Sequence, residues 1–146
     1  MALTVMPTAA NAEIVPGTGI ADISIGMQGA EVIAMFGDPI RTTNGTSPQG
    51  LPTESMYYPG KLKVIVSDGA VTTVRTRSRS ERTFDGIGVG ISKSQLRRTY
   101  SSATCQRIGT ARSICQIGDL IPGEVVTTLR VHRRFITEVS VDQFLD

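Results

Sequence analysis

Two cysteines and one histidine are the most reactive side chains in this chain. Cys105 and Cys115 have nine residues between them, a spacing compatible with a local disulfide in an oxidising compartment and with two free thiols in a reducing one. The disulfide is the favoured interpretation. His132 is the only histidine, and no Cys, His or Asp spacing matches a zinc or calcium motif. We therefore expect His132 to be a solvent-exposed turn residue and expect no metal site.

Nucleophilic catalysis has little support in the sequence. There is no Gly-x-Ser-x-Gly turn, and a cysteine nucleophile requires the pair to be reduced. The glycine-rich run 86–90 is followed by no Lys-Ser/Thr pair and fits no dinucleotide-binding pattern. We interpret it as a turn that leads into a helix. The sequence therefore predicts a protein that is not an enzyme and that holds no cofactor.

Arginine is the dominant charged residue and it is unevenly distributed. Twelve of the fifteen basic residues are arginine, and eleven of those lie from Arg75 onward. The alternation of Arg75, Arg77 and Arg79 places them on one face if the segment is a strand. Together with Arg133 and Arg134 they form a candidate surface for an anion or an acidic partner, since guanidinium groups fit carboxylate and phosphate. The alternative is a solvated outer face that protects a sheet edge.

The elements that position these residues are set by a duplicated pattern. The segment 23–37 combines an apolar entry, a glycine turn and a short amphipathic helix, and it recurs 64 residues later as segment 87–100. The first helix is predicted over residues 28–36, with Val32, Met35 and Phe36 on one face. In the second helix the matching residues are Leu96, Thr99 and Tyr100. Ser92 is predicted to cap the second helix, with Gln95 completing a capping box, whereas Gln28 caps the first poorly.

Alternating apolar residues predict strands after each helix. These strands cover residues 54–58, 61–66, 71–77, 125–131 and 135–141, and a type I′ turn is expected at Asp68-Gly69. Residues 41–53 are rich in Gly, Pro, Ser and Asn and predict a long exposed loop. A three-residue apolar spacing in both copies (Val71 to Val74, Ile136 to Val139) predicts the same β-bulge twice.

The predicted fold class is α+β, with two tandem repeats of a short helix followed by antiparallel β-hairpin strands that share one core. The expected organisation is a signal peptide remnant or disordered tail (1–12), a linker (13–19), a first repeat (20–80) and a second repeat (81–146). Both helices are expected on one sheet face, and the opposite face is expected to carry basic residues: Lys61, Lys63, Arg75, Arg77 and Arg130.

The motif Ile25-Gly26-Met27, followed by Glu31-Val32 and by Phe36-Gly37-Asp38-Pro39, resembles that of a known family. It is similar to the helix–sheet repeat of the β-lactamase inhibitory proteins and to the BamE-type (SmpA/OmlA) small lipoproteins of outer-membrane assembly. The resemblance extends over residues 20–77 and more loosely over 84–141. It implies a tandem helix–sheet architecture and a binding module rather than a catalyst.

The N-terminal residues indicate a location outside the cytoplasm. Residues 1–12 are apolar and uncharged and end in Ala10-Asn11-Ala12, which fits the small-x-small pattern of a signal-peptide cleavage site; the alternative is a disordered tail. We therefore expect a secreted or periplasmic, non-catalytic module that binds another protein. The alternative is an envelope structural factor that binds anionic lipid or cell-wall polymer through its arginines. Aromatic residues are scarce, and neither nucleic-acid binding nor a transmembrane segment is expected.

Overall fold

The fold is described from a computed structural model, which covers residues 12–144. The predicted signal remnant or tail lies outside these residues except for Ala12. None of the helices in the described part of the chain is both long and apolar enough to cross a membrane.

The described chain is built mainly from antiparallel strands, with two helices of eight and seven residues. The elements in order are β1 (Ile14–Val15), β2 (Gly19–Ile20), β3 (Ile23–Ser24), α1 (Gly29–Phe36), β4 (Arg41–Thr46), β5 (Pro52–Tyr58), β6 (Leu62–Ser67), β7 (Ala70–Thr76), α2 (Lys93–Thr99), β8 (Thr104–Gly109), β9 (Arg112–Ile117), β10 (Val125–His132) and β11 (Phe135–Gln143). Strands β1–β3 form a small sheet. The other eight form one large sheet in the order β4-β5-β6-β7-β11-β10-β9-β8.

The predicted fold class is therefore wrong. Each helix is followed by four antiparallel strands rather than by a hairpin, and the fold is predominantly β. The two groups of four strands join where β7 pairs with β11, with Thr76 opposite Val139 and Thr73 opposite Asp142. The hairpins recognised in the sequence, β6–β7 and β10–β11, are the central strands, because only strands buried on one face carry strong apolar alternation.

The outer strands were missed because they lack that alternation. Residues 41–53 do not form one long loop: β4 pairs with β5 from Arg41 opposite Tyr57 to Thr46 opposite Pro52. Every residue of β4 is exposed, so its sequence carries no apolar signal. At the opposite edge, β8 and β9 occupy the cysteine-containing segment. There Cys105 lies directly opposite Cys115, and the two form a disulfide.

One hydrophobic core lies between the large sheet and the two helices. Val32 of α1 and Leu96 of α2 are both fully buried in it, and Phe36 and Tyr100 pack against it, whereas Met35, predicted on the same face as Val32, is exposed. The segment expected to be a linker contains β1, and Ile14 in that strand is also buried in the core. Its backbone N–H donates to the Arg82 carbonyl at 2.8 Å, which ties the start of the described chain to the connection between the two groups of strands.

Several local predictions are confirmed. Ser92 Oγ accepts from the Gln95 N–H at 3.1 Å, whereas Gln28 makes no side-chain cap. The same bulge occurs in both central hairpins, with Thr72 and Thr137 as the extra residues. Each extra threonine donates its hydroxyl to a carbonyl on the partner strand, Thr72 to Ile65 at 3.4 Å and Thr137 to Arg130 at 3.3 Å.

Candidate functional site

The outer face of the large sheet, which turns away from the helices, carries a concentration of basic side chains. The strand registers place Lys63 opposite Arg75 and Arg130 opposite Glu138 on this face. The core residues Val64, Val74 and Leu129 point to the other side. Side chains alternate between the two sides of a strand, so these basic residues share the face opposite the core, as predicted.

Two neighbouring grooves lie on this face, and together we call them the basic trough. The first has a volume of about 680 Å³ and the second about 400 Å³, and both are lined by Arg77 and Thr137. Across the two grooves the lining side chains include six cations (Lys61, Lys63, Arg75, Arg77, Arg112 and Arg130), together with Tyr57, His132 and a single carboxylate, Glu138. The trough therefore has a large excess of positive charge.

Glu138 lies at the centre of the trough and is surrounded by three arginines. Its carboxylate is 2.7 Å from Arg75 Nε, 3.3 Å from Arg77 Nε and 3.9 Å from Arg130 Nε. Only 7% of the Glu138 side chain is exposed, although it lies on the outer face. The Arg77 contact is a hydrogen bond. The Arg75 Nε–H is not aligned with any acceptor, so its short contact with Glu138 is an ion pair without a formed hydrogen bond.

Tyr57 closes one end of the trough with an aromatic ring held between two cations. The Arg41 guanidinium carbon lies 4.2 Å from the ring centroid and Lys63 Nζ lies 5.3 Å from it, both within the range of cation–π attraction. Side-chain hydrogen bonds from Thr43 and then from Lys63 lower the pKa of Tyr57, with a smaller contribution from the charges of Lys63 and Arg41. The Thr43 hydroxyl is thus the main cause of the lowered pKa of Tyr57, and the two cations add to it.

The opposite end of the outer face differs in chemistry. A third recess of about 390 Å³ is lined mainly by hydroxyl and amide side chains, with Thr73, Thr128 and Gln116 among them. Its carboxylate, Asp142, accepts a hydrogen bond from Ser140 at 2.7 Å, and no basic residue lines it among the residues described. The positive charge is thus confined to one end of the sheet.

The arginines singled out in the sequence divide into two groups. Arg75 and Arg77 line the trough, as the alternation suggested. Arg79 does not join them, because β7 ends at Thr76 and the Arg79 side chain lies beside Gly90 instead. Arg133 and Arg134 form the two-residue turn between β10 and β11, and neither lines the trough.

Sequence reasoning missed the contributions of Arg41 and Arg112. Arg41 lies on β4 and Arg112 on β9, the two outer regions whose strands were not recognised. The favoured Cys105–Cys115 disulfide was itself a signal for β8 and β9, since two bonded cysteines can lie opposite each other on a pair of antiparallel strands, as they do here.

The two cysteines lie on β8 and β9, and the histidine lies on the adjacent strand β10. The cysteines are bonded to each other. His132 is exposed at the end of β10, opposite Arg112. Within residues 12–144, no group of three or more His, Cys, Asp or Glu side chains is placed to hold a metal ion.

Comparisons with known proteins give one informative similarity. No family model matches the chain, and no curated protein matches it. A crystal structure of an extracellular protein containing a SCP domain, from Bacillus anthracis str. Ames, is similar, with a TM-score of 0.54 and 11% sequence identity. The similarity covers 97% of this chain and 50% of that one, so the chain spans half the length of that structure. At this level of identity the similarity concerns the fold alone.

The resemblance to β-lactamase inhibitory proteins and BamE-type lipoproteins is wrong. The similar solved structure is an extracellular protein with a SCP domain, and the described chain is mostly β-sheet. The motif was a poor guide to the family because its glycines indicate only a local turn. Gly26 precedes α1 with φ 90°, and Gly90 precedes α2 with φ 91°. A left-handed glycine before a short helix is a backbone requirement that unrelated folds share.

Proposed function

We propose that this protein is an extracytoplasmic, non-catalytic module that binds a partner protein through the outer face of its eight-stranded sheet. The observation that carries the proposal is the basic trough, in which six cations and one carboxylate line two neighbouring grooves. A recess with a strong excess of one charge attracts and orients a partner of opposite charge.

The clustered cations of the trough repel one another, and this costs free energy that binding of an oppositely charged partner would offset. Like charges held close together repel, and Glu138 neutralises only one of the six cations. Arg75 is also partly buried, with 29% of its side chain exposed. A protein that needed only solubility could disperse these charges over its surface. Their convergence supports a binding role.

Three observations support a location outside the cytoplasm. The Cys105–Cys115 disulfide joins the edge strand β8 to β9, and such bonds persist mainly in oxidising compartments. The similar solved structure is described as an extracellular protein. The apolar residues 1–12, with their small-x-small ending, agree with this location.

A second candidate function is binding of an anionic lipid surface or cell-wall polymer, and the same excess of arginine and lysine favours it. The shape of the site argues against a lipid surface. The cations line recesses, whereas a bilayer presents a broad planar array of headgroups. A linear polypeptide segment fits into a groove more readily than the planar surface of a membrane does.

Capture and mapping of the partner test the proposal. The immobilised protein is incubated with cell-envelope and secreted proteins of its own organism, and captured proteins are cross-linked, identified, purified and rebound to the isolated module. The charge-reversal variant K63E/R130E alters the trough. The matched control R97E/R98E makes the same charge change on α2, where both arginines are exposed on the helix side of the sheet.

We expect the purified partner to lose binding to K63E/R130E and to retain it with R97E/R98E. Hydrogen exchange in the complex should be slowed in β6, β7 and β10. Equal binding by both variants, or protection confined to the helix side, would contradict the proposal.

A further inference from the structure

We propose that the trough recognises an extended acidic segment of the partner, about seven residues long, with carboxylates at alternate positions. This inference rests on the proposed function, and it specifies the chemistry and conformation of the partner at the same site.

The first argument comes from Glu138. Three guanidinium groups already converge on this one carboxylate, with Nε–O distances of 2.7 to 3.9 Å. The site therefore shows that this arrangement of arginines accommodates a carboxylate. Since 65% of the Arg77 side chain and 52% of the Arg130 side chain are exposed, both retain accessible N–H donors for further carboxylates.

The second argument comes from the length of the trough. The cations of the trough and Tyr57 lie on or directly beside six adjacent strands, from Tyr57 on β5 to Arg112 on β9. At about 4.8 Å per strand this is a span of roughly 24 Å. An extended peptide covers that distance with about seven residues at roughly 3.4 Å each.

The third argument comes from the spacing of the cations. Lys63, Arg75, Arg130 and Arg112 lie on β6, β7, β10 and β9, with Glu138 on β11 in the middle. In an extended peptide every second side chain points to the same side, at intervals of about 6.8 Å. Carboxylates at alternate positions can thus reach the cations on both sides of Glu138, and the long arginine side chains adjust to the difference in spacing.

Glu138 acts in this arrangement as a positioning residue. It holds Arg75, Arg77 and Arg130 together, so that less side-chain freedom is lost when the acidic segment binds. A site that responded only to total charge would behave in the opposite way, because removal of one negative charge would strengthen binding of an anion. The E138Q variant therefore separates recognition by an ordered array from simple electrostatic attraction.

The test uses the full chain and defined probes. The peptides are acetylated and amidated Glu-Ser repeats of two, four, six and eight residues, and binding is measured by titration calorimetry in 20 mM and 200 mM salt. Heparin fragments and vesicles of phosphatidylglycerol with phosphatidylcholine are the competing anions. The variants are R75Q/R130Q in the trough, R97Q/R98Q as the matched control on α2, and E138Q, each checked for folding by circular dichroism.

We expect affinity to increase with peptide length and to level off between six and eight residues. The R75Q/R130Q variant should bind the eight-residue peptide roughly tenfold more weakly than the unaltered protein does. The E138Q variant should also bind it more weakly, and R97Q/R98Q should bind it with an affinity within about twofold of the original. Should E138Q fail to fold, the R75Q/R130Q comparison and the length series still decide the outcome.

Three results of the variant and peptide-length series would overturn the inference. They are an affinity that does not change in R75Q/R130Q, an affinity that is independent of peptide length, and tighter binding of the peptide by E138Q. Preference for heparin or for the vesicles would assign the trough to another anion. A further outcome is that the Glu-Ser peptides fail to bind while the captured partner still slows hydrogen exchange in β6, β7 and β10. In that case this inference is wrong and the proposed function stands.

Discussion

Replacing Glu138 with glutamine should destabilise the fold by about 2 kcal/mol. The largest part comes from Arg75, which is 2.7 Å from the carboxylate and 29% exposed. An ion pair with one nearly covered partner lies between the roughly 0–1 kcal/mol of an exposed pair and the roughly 3–5 kcal/mol of breaking a buried one. We take about 1.5 kcal/mol because the Nε–H is not aligned with the carboxylate. The contacts of Arg77 and Arg130 are screened by solvent, since both side chains are more than half exposed, and each adds only about 0–1 kcal/mol.

Chemical denaturation with urea, monitored by far-ultraviolet circular dichroism, measures this loss. E54Q is the matched control, because Glu54 lies on the same sheet but is exposed, and its replacement should change stability by less than about 0.5 kcal/mol. A double-mutant cycle of E138Q with R75Q isolates the pair and should give a coupling of about 1 kcal/mol or more. Because the carboxylate is almost fully covered, most of that coupling should persist in 0.5 M salt.

A coupling near zero, or a loss in E138Q no larger than that in E54Q, would refute this account of Glu138. The three arginines would then be independent surface residues, and the ordered array on which the peptide-binding inference depends would have no energetic basis.

Further predictions concern stability and ionisation. Reducing the Cys105–Cys115 disulfide, which closes a loop with a sequence separation of ten residues, should lower stability by about 2.7 kcal/mol on the loop-entropy model, as measured by urea denaturation with and without reductant. Replacing Ser92 with alanine should lower the free energy of unfolding by about 1 kcal/mol, because α2 loses its N-cap. The separate substitution Gln28→Ser should raise the free energy of unfolding by part of that amount, because it adds a cap to α1, which lacks one. An ultraviolet titration should find that Tyr57 ionises below the ordinary tyrosine pKa, and Thr43→Val should raise that pKa by removing the largest cause of the shift.

The tyrosine titration also has a consequence for stability. Burial raises the pKa values of Tyr58 and Tyr100, so the folded chain binds these protons more tightly than the unfolded chain does. The corresponding stability is fully present below the unfolded-state pKa of about 10 and is lost as the pH rises through the folded-state values. Because the lowered pKa of Tyr57 acts in the opposite direction, the test uses the Tyr57→Phe variant, whose denaturation midpoint should fall above about pH 10.

The sequence by itself determined the local features of this protein. The cap at Ser92, the Asp68-Gly69 turn with φ values of 52° and 79° and the repeated bulge at Thr72 and Thr137 all depend on neighbouring residues. The alternation that places Arg75 on the outer face is equally local, since a strand directs successive side chains to opposite sides. Such features are encoded in short segments because the interactions that fix them are short in sequence.

Only the tertiary structure decided the architecture and the composition of the trough. β4 has no buried face, so nothing in its sequence distinguishes it from a loop; it is a strand because β5 supplies its hydrogen-bonding partner. The trough depends on the pairing of β7 with β11, which brings Arg75 and Arg77 to Glu138, more than sixty residues away in sequence. Pairing between distant strands is selected by the collective burial of the whole core, and local patterns do not report it.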